Sequence, residues 1–217
     1  MFVLLQYLCG MKIFVTGIST DVGKTVASAI IAQALRADYW KPVQAGDLHQ
    51  SDSIKVKTWT DGLTVFPEAY RLNTPASPHL AAKLDGVKIL LDRIAEPHTE
   101  NHLVIEGAGG LLVPLNEKET IADLIKTDYK VIVVSRHYLG SISHTLLTLE
   151  ALKARGLETA GIVFNGDANP ASEEAILERF PVPVIGRIAP EPVINVEVIV
   201  KYAAQFQPNL QKLDGKV

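Results

Sequence analysis

Short, continuously apolar runs rich in β-branched residues alternate along this chain with longer segments whose apolar residues recur every three or four positions. The runs KIFVT (12–16), DYWKPV (38–43), HLVIEG (102–107), KVIVVS (130–135), TAGIVFN (159–165) and VPVIGRI (182–188) predict strands. Several lack polar alternation, the mark of parallel strands covered on both faces. Helices are predicted at 23–36, at 77–95 in two pieces, and at 120–126, 141–155, 171–179 and 194–206. In LGSISHTLLTLEALKARG, Ser141 offers an N-cap, Ile142, Leu146, Leu149 and Leu152 form one stripe, and Gly156 is a stop. The alternation predicts an α/β fold, a doubly wound and mainly parallel sheet flanked by helices. No linker-like stretch divides it, so residues 11–217 are expected to form a single domain.

The opening MFVLLQYLCG is apolar but has no basic start and no small-residue cleavage site, and it is too short to span a bilayer. Met11 begins a natural first strand, and residues 1–10 are expected to be an extension upstream of the functional start. An apolar content of 47% in 217 residues excludes a disordered polymer. A net charge of −3 gives no support to nucleic-acid binding. The single cysteine, Cys9, excludes an internal disulfide framework and a cysteine-built zinc site. A cytoplasmic protein without a membrane segment is the expectation.

In doubly wound sheets, ligands sit outside the carboxyl ends of the strands. Those ends are read as Gly17, Lys41, Glu106, Ser135, Asn165 and a loop near Ala189. GISTDVGKT (17–25) joins the first strand to the first helix and would aim successive backbone N–H groups at an anion. It resembles a P-loop, with Lys24 placed for the β/γ-phosphates and the Thr25 hydroxyl for Mg²⁺. Five residues separate Gly17 from Gly23, however, where the common pattern has four. Taken alone, the loop reads equally as a strand-to-helix turn bearing a surface lysine.

Glu106 opens EGAGG (106–110) after an apolar strand and could bind Mg²⁺, although a glycine turn with an acidic edge residue looks the same. Asp52 in QSDSIKV begins a helix, where aspartate most often serves as a cap. Lys41 in WKPVQAG could stabilise charge on a transferring phosphoryl group or be a solvated edge charge. NTPASPHLAA (73–82) delivers Ser77 and Pro78 to a helix start whose free N–H groups either bind an anion or are capped by Ser77. His79 and His144 have no metal-ligand company and are read as structural.

In this order, GISTDVGKT, KPVQAG, SPHLAA, EGAGGLLVPL and LGSISHTLLT resemble the dethiobiotin synthetase family over residues 11 to 190, five-residue glycine spacing included. The resemblance implies a P-loop fold and a homodimer. It also implies a ligase that uses Mg²⁺, ATP, CO₂ and 7,8-diaminopelargonate to form dethiobiotin in biotin synthesis. Carried over residue by residue, the loop Thr20, Asp21, Val22, Gly23, Lys24 and Thr25 holds the phosphates, and Thr25, Asp52 and Glu106 hold the metal. Thr20 and Lys41 contact the carbamate end of the substrate. Gly107, Ala108 and Gly109 lie beside the phosphates and diamine with Ser77 nearby, and Asn165 reads the nucleobase. Leu139, Gly140 and Ser141 of the partner copy bind the substrate carboxylate.

The chain departs from the family pattern at three places. Ala45 replaces a usual Thr or Ser, Ser143 replaces Asn, and 189–197 fits the base-binding loop poorly. Partitioning ATPases on a similar scaffold carry a second lysine early in the loop, which GISTDVGKT lacks. A nucleotide-sensing module would not need Lys41 or SPHLAA.

Overall fold

The computed structural model describes residues 10–214, so most of the expected amino-terminal extension lies outside the described residues. In chain order the elements are β1 (Lys12–Gly17), α1 (Lys24–Leu35), β2 (Asp38–Trp40), β3 (Val43–Ala45), α2 (Asp52–Trp59), β4 (Val65–Phe66), β5 (Tyr70–Leu72) and α3 (Pro78–Leu84). They continue with β6 (Leu103–Gly110), β7 (Lys130–Arg136), α4 (Ser141–Ala154), β8 (Thr159–Asn165), α5 (Pro170–Arg179), β9 (Val184–Ile188) and α6 (Val196–Gln211). Seven strands form one sheet in the order β4-β2-β6-β1-β7-β8-β9, and every pairing in it is parallel.

The chain leaves β1 toward β2, comes back to β6, then passes β1 to continue at β7, so the winding direction reverses around β1 and β6. That reversal opens a crevice at their carboxyl ends. The central strands are buried on both faces, as their uninterrupted apolar runs require. Helix α1 is buried nearly all round because it lies between the sheet and α6, and its alanines allow the close approach. Helix α6 covers it with a stripe of Ile199, Tyr202, Ala203, Phe206 and Leu210 at helical spacing.

Several boundaries differ from the sequence expectation, each for a local reason. The strand expected over 38–43 stops at Trp40. Pro42 has no amide hydrogen, and its carbonyl instead accepts from Ala69 and Tyr70, which starts a separate small sheet of β3 on β5. Of the expected helix pair at 77–95, only α3 is α-helical, followed by a 3₁₀ turn at Leu91–Arg93. The helix expected at 120–126 is a 3₁₀ turn, Ile121–Leu124, closed by a reciprocal box between Thr120 and Asp123. Helix α6 runs through Pro208 because the carbonyl left without a donor is that of Ala204, on the exposed face. Gly140, at φ 99°, is the N-cap of α4, and Ser141 is its first helical residue. No helix among the described residues is long and apolar enough to cross a membrane.

The amino-terminal edge of the sheet is tied by one carboxylate. Glu96 accepts from Lys12 at 2.7 Å, from Lys126 at 2.6 Å and from the Tyr129 hydroxyl. Burial alone would raise the Glu96 pKa, but these donors outweigh it and hold it down to about 2 from an ordinary 4.5. The sign follows: Glu96 adds stability above pH 4.5 that is lost as the pH falls toward 2. Because Lys126 is largely exposed, the cluster is worth about 1–2 kcal/mol. Glu96→Gln is expected to lose that amount in urea unfolding at pH 7 and to flatten the acid limb of the stability profile.

Candidate active site

Gly17 ends β1, and the loop from Ile18 to Gly23 carries the chain into α1. Gly23 has φ 95°, and a Cβ there would lie 2.2 Å from the Asn165 amide nitrogen, so only glycine serves. No side chain caps α1, and its first N–H groups face the cleft. The Lys24 ammonium donates to the Ser19 carbonyl at 3.0 Å, lying along the inside of the loop. Burial, then the nearby Lys41, lowers its pKa to about 8.

On β6 the glycine-rich stretch is strand rather than turn. Between the pairings Val15↔Glu106 and Gly17↔Gly110, β1 advances two residues and β6 four. The extra length bulges Gly107 to Gly109 toward the loop. A Cβ on Gly109 would stand 3.5 Å from the Thr20 hydroxyl. Glu106, at the base of this bulge, is 1% exposed.

Lys41 follows β2 directly and is 4% exposed. Its ammonium sits 2.5 Å from Asp52 Oδ2 and 3.0 Å from Glu106 Oε1. The Thr25 hydroxyl donates to the same Glu106 Oε1 at 2.9 Å. Burial by itself would lower the Lys41 pKa, yet Glu106 and Asp52 overcome it and the net shift is upward. Asp52 moves the other way: burial pushes it up, Lys41 more than compensates, and it stays below the ordinary carboxylate range.

Asp52 is free for this pair because it is not the helix cap. Ser51 caps α2, its hydroxyl accepting from the Ile54 amide, which overturns the expected capping role. Ser77 holds the N-cap position of α3 without making a side-chain cap bond, and it faces the cleft. The cleft measures about 760 Å³ and is lined by Thr20, Asp21, Gly23, Lys24, Thr25, Lys41, Ala45, Asp52, Ser77, Glu106, Ala108 and Gly109.

Other expected site residues lie elsewhere on the same chain. Asn165, at the end of β8, donates to the Val22 carbonyl at 2.8 Å and props the loop from behind. Val22 is itself buried under the loop. Leu139, Gly140 and Ser141 line a separate groove of about 870 Å³ with Ile142, Leu146 and Leu147 of α4. Leu139 is fully exposed there.

The sequence reading missed Tyr39, Gln44 and Lys55. The Tyr39 hydroxyl donates to Glu106 Oε2 at 2.8 Å from a fully buried position. Gln44 accepts from the Asp52 amide at 3.2 Å and donates to the Gly46 carbonyl at 3.0 Å, bolting α2 to β3. Lys55 stands 3.7 Å from Asp52 Oδ1. Tyr39 could have been found from its place two residues before Lys41, which puts both on one face of an extended chain.

The profile of the AAA domain family matches residues 11–198. The septum site-determining protein MinD of Pyrococcus horikoshii, solved with Mg-ADP, superposes with a TM-score of 0.57 at 17% identity, covering 94% of each chain. A plasmid partition protein of Borrelia burgdorferi, solved with AMPPNP, gives 0.55 at 12% identity over 95% of this chain and 99% of that one. These likenesses establish the P-loop nucleoside triphosphatase fold. Sequence relatives are much nearer. The ATP-dependent dethiobiotin synthetase BioD of Christiangramia forsetii is 57% identical over 199 residues, 91% of this chain and 96% of the relative. That of Cytophaga hutchinsonii is 50% identical over 202 residues, covering 91% and 98%. With identity of this order over nearly the whole length of both chains, the protein belongs to the ATP-dependent dethiobiotin synthetase family.

Proposed function

We propose that this ATP-dependent ligase joins CO₂ to 7,8-diaminopelargonate and closes the ureido ring to give dethiobiotin, ADP and phosphate. One observation carries the reading beyond nucleotide binding. A buried lysine from outside the loop, Lys41, stands beside Lys24 with Asp52 and Glu106, in a cleft that continues past Ala45 and Ser77. A nucleotide-sensing module has no need for that second cation.

One amine of the substrate takes up CO₂ as a carbamate and releases a proton. A carbamate oxygen attacks the γ-phosphorus and ADP leaves. The other amine then attacks the carbamoyl carbon, closing the ring and expelling phosphate. Two anions must be held in line for the first transfer, which like charges oppose. Lys24 along the loop and Lys41 on the facing wall offset that charge, and the open N–H groups at the start of α1 hold the phosphates. Thr20, near Gly109, would steady the carbamate, and the glycine bulge would let backbone approach both reactants.

The donor set suits Mg²⁺. Thr25, Asp52 and Glu106 present hard oxygens, and the two carboxylates already converge on one cation, the Lys41 ammonium. Among the described residues no group of three or more His, Cys, Asp or Glu converges, so a bound Mg²⁺ would complete its shell with triphosphate oxygens and water. When bound, it would neutralise phosphate charge.

The site draws on a second copy of the chain in this reading. The exposed Leu139 and the uncapped start of α4 at Gly140 and Ser141 would meet the substrate carboxylate across a homodimer interface. In this reading Asn165, whose amide nitrogen is held by the Val22 carbonyl behind the loop, would present its side-chain oxygen to a base amine.

Phosphate release from Mg·ATP and bicarbonate should require the diamine, with dethiobiotin appearing in step by mass spectrometry. Diamine-independent release, or none from folded protein, would defeat the proposal. Lys41→Ala is expected to lower kcat by about 10²–10³-fold while leaving ATP binding within a few fold. Lys24 gives a pH signature. With its pKa near 8 in the free protein, it is increasingly neutral above that pH, and an incoming triphosphate recharges it. Calorimetry in buffers of different ionisation enthalpy should therefore show proton uptake on ATP binding that grows from pH 7 to pH 9, and Lys24→Arg should abolish the growth.

A further inference from the structure

The Glu106 carboxylate is shared between the core and the cleft in an ordered way. Oε1 receives the cleft-side donors, the Thr25 hydroxyl at 2.9 Å and the Lys41 ammonium at 3.0 Å. Among the described residues Oε2 receives only the Tyr39 hydroxyl, at 2.8 Å, from a side chain with no exposed surface. Tyr39 pairs with Val104 in the parallel ladder, so Tyr39 and Glu106 project from the same face of adjacent strands. Burial, reinforced by Glu106, pushes the phenol well above its ordinary pKa, so its hydroxyl remains a donor.

We propose that Tyr39 is a positioning residue that commits Oε2 of Glu106 to the core and leaves Oε1 alone to face a metal ion. The inference rests on the reading of Glu106 as a metal ligand and goes beyond it in two respects. It assigns a function to a residue outside the cleft lining, and it predicts metal preference. A carboxylate held through one oxygen suits the compact octahedral shell of Mg²⁺, whereas Ca²⁺ favours larger shells that accept both oxygens of one carboxylate. Outer partners of metal-ligating groups typically change metal affinity by about 10–100-fold when removed. The glycine loop, Lys24 and Lys41 do not touch the Tyr39 hydroxyl, so metal-free nucleotide binding should not depend on it.

Tyr39→Phe keeps the ring and removes only the oxygen. The experiment is equilibrium binding of AMPPNP as a function of Mg²⁺ or Ca²⁺, well below the melting temperature of each variant, with a metal-free control in EDTA. The expected result is a Mg²⁺ half-saturation raised about 10-fold, a smaller change or a gain for Ca²⁺, and unchanged binding in EDTA. A purely structural Tyr39 would lower Tm and leave both half-saturations and their ratio within twofold of the parent, which would overturn the proposal. Glu106→Gln separates the two layers. If it leaves the Mg²⁺ dependence intact, the metal-ligand reading itself fails. If it abolishes that dependence while Tyr39→Phe does not alter it, only the role of Tyr39 fails. Should Tyr39→Phe not fold, Tyr39→Trp, which places an N–H donor at the same wall, must retain a Mg²⁺ preference over Ca²⁺, and its loss in folded Tyr39→Trp protein would count against the proposal.

Discussion

Everything at the carboxyl edge of this sheet depends on keeping the charge of Glu106 and Lys41 inside a nearly dry interior. An unpaired buried carboxylate or ammonium would cost several kcal/mol. The cost is offset because each charge has several partners of the right kind: Lys41 lies between two carboxylates, and Glu106 takes Thr25, Lys41 and Tyr39. Removing Glu106 or Lys41 would leave the other short of its counter-charge. The electrostatics of the site and the local stability of the sheet edge are therefore one problem.

That arrangement explains details of the backbone that would otherwise look incidental. Strand β2 ends at Trp40, Pro42 cannot continue its ladder, and Lys41, two residues after Tyr39, reaches the same Glu106 carboxylate. Ser51 takes the cap of α2 so that Asp52 can face Lys41, and Gln44 fixes where that helix begins. The bulge on β6 sets the glycines after Glu106 against the phosphate loop. Each is a small irregularity that aims a charged group or opens backbone to a ligand.

The opposite edge serves the fold. Glu96 gathers Lys12, Lys126 and Tyr129 at the amino ends of the strands, far from the reverse in winding that creates the cleft. Two clusters of similar composition thus do different work because of where the parallel sheet places them. At the carboxyl ends, α1 adds open N–H groups and the glycine loop. At the amino ends, among the described residues, the Glu96 cluster ties loops to strands.

By itself the sequence determined the alternation of buried strands and covering helices, and hence the wound parallel sheet, because period and apolar content are local properties. It also singled out the glycine loop, Lys24, Lys41 and Glu106 as candidates, since strand ends are where such sheets bind ligands. The tertiary structure alone decided what those groups touch. That Asp52 pairs with Lys41 instead of capping its helix depends on a serine winning the cap and on a glutamine in the preceding strand. That Tyr39 anchors Glu106 depends on β2 lying next to β6, a neighbour distant in sequence. The short strands β3, β4 and β5 and the 3₁₀ turns escaped the pattern because two to four residues carry too little periodicity to be read. Periodicity is written along the chain; partnership across it is set only when distant segments pack.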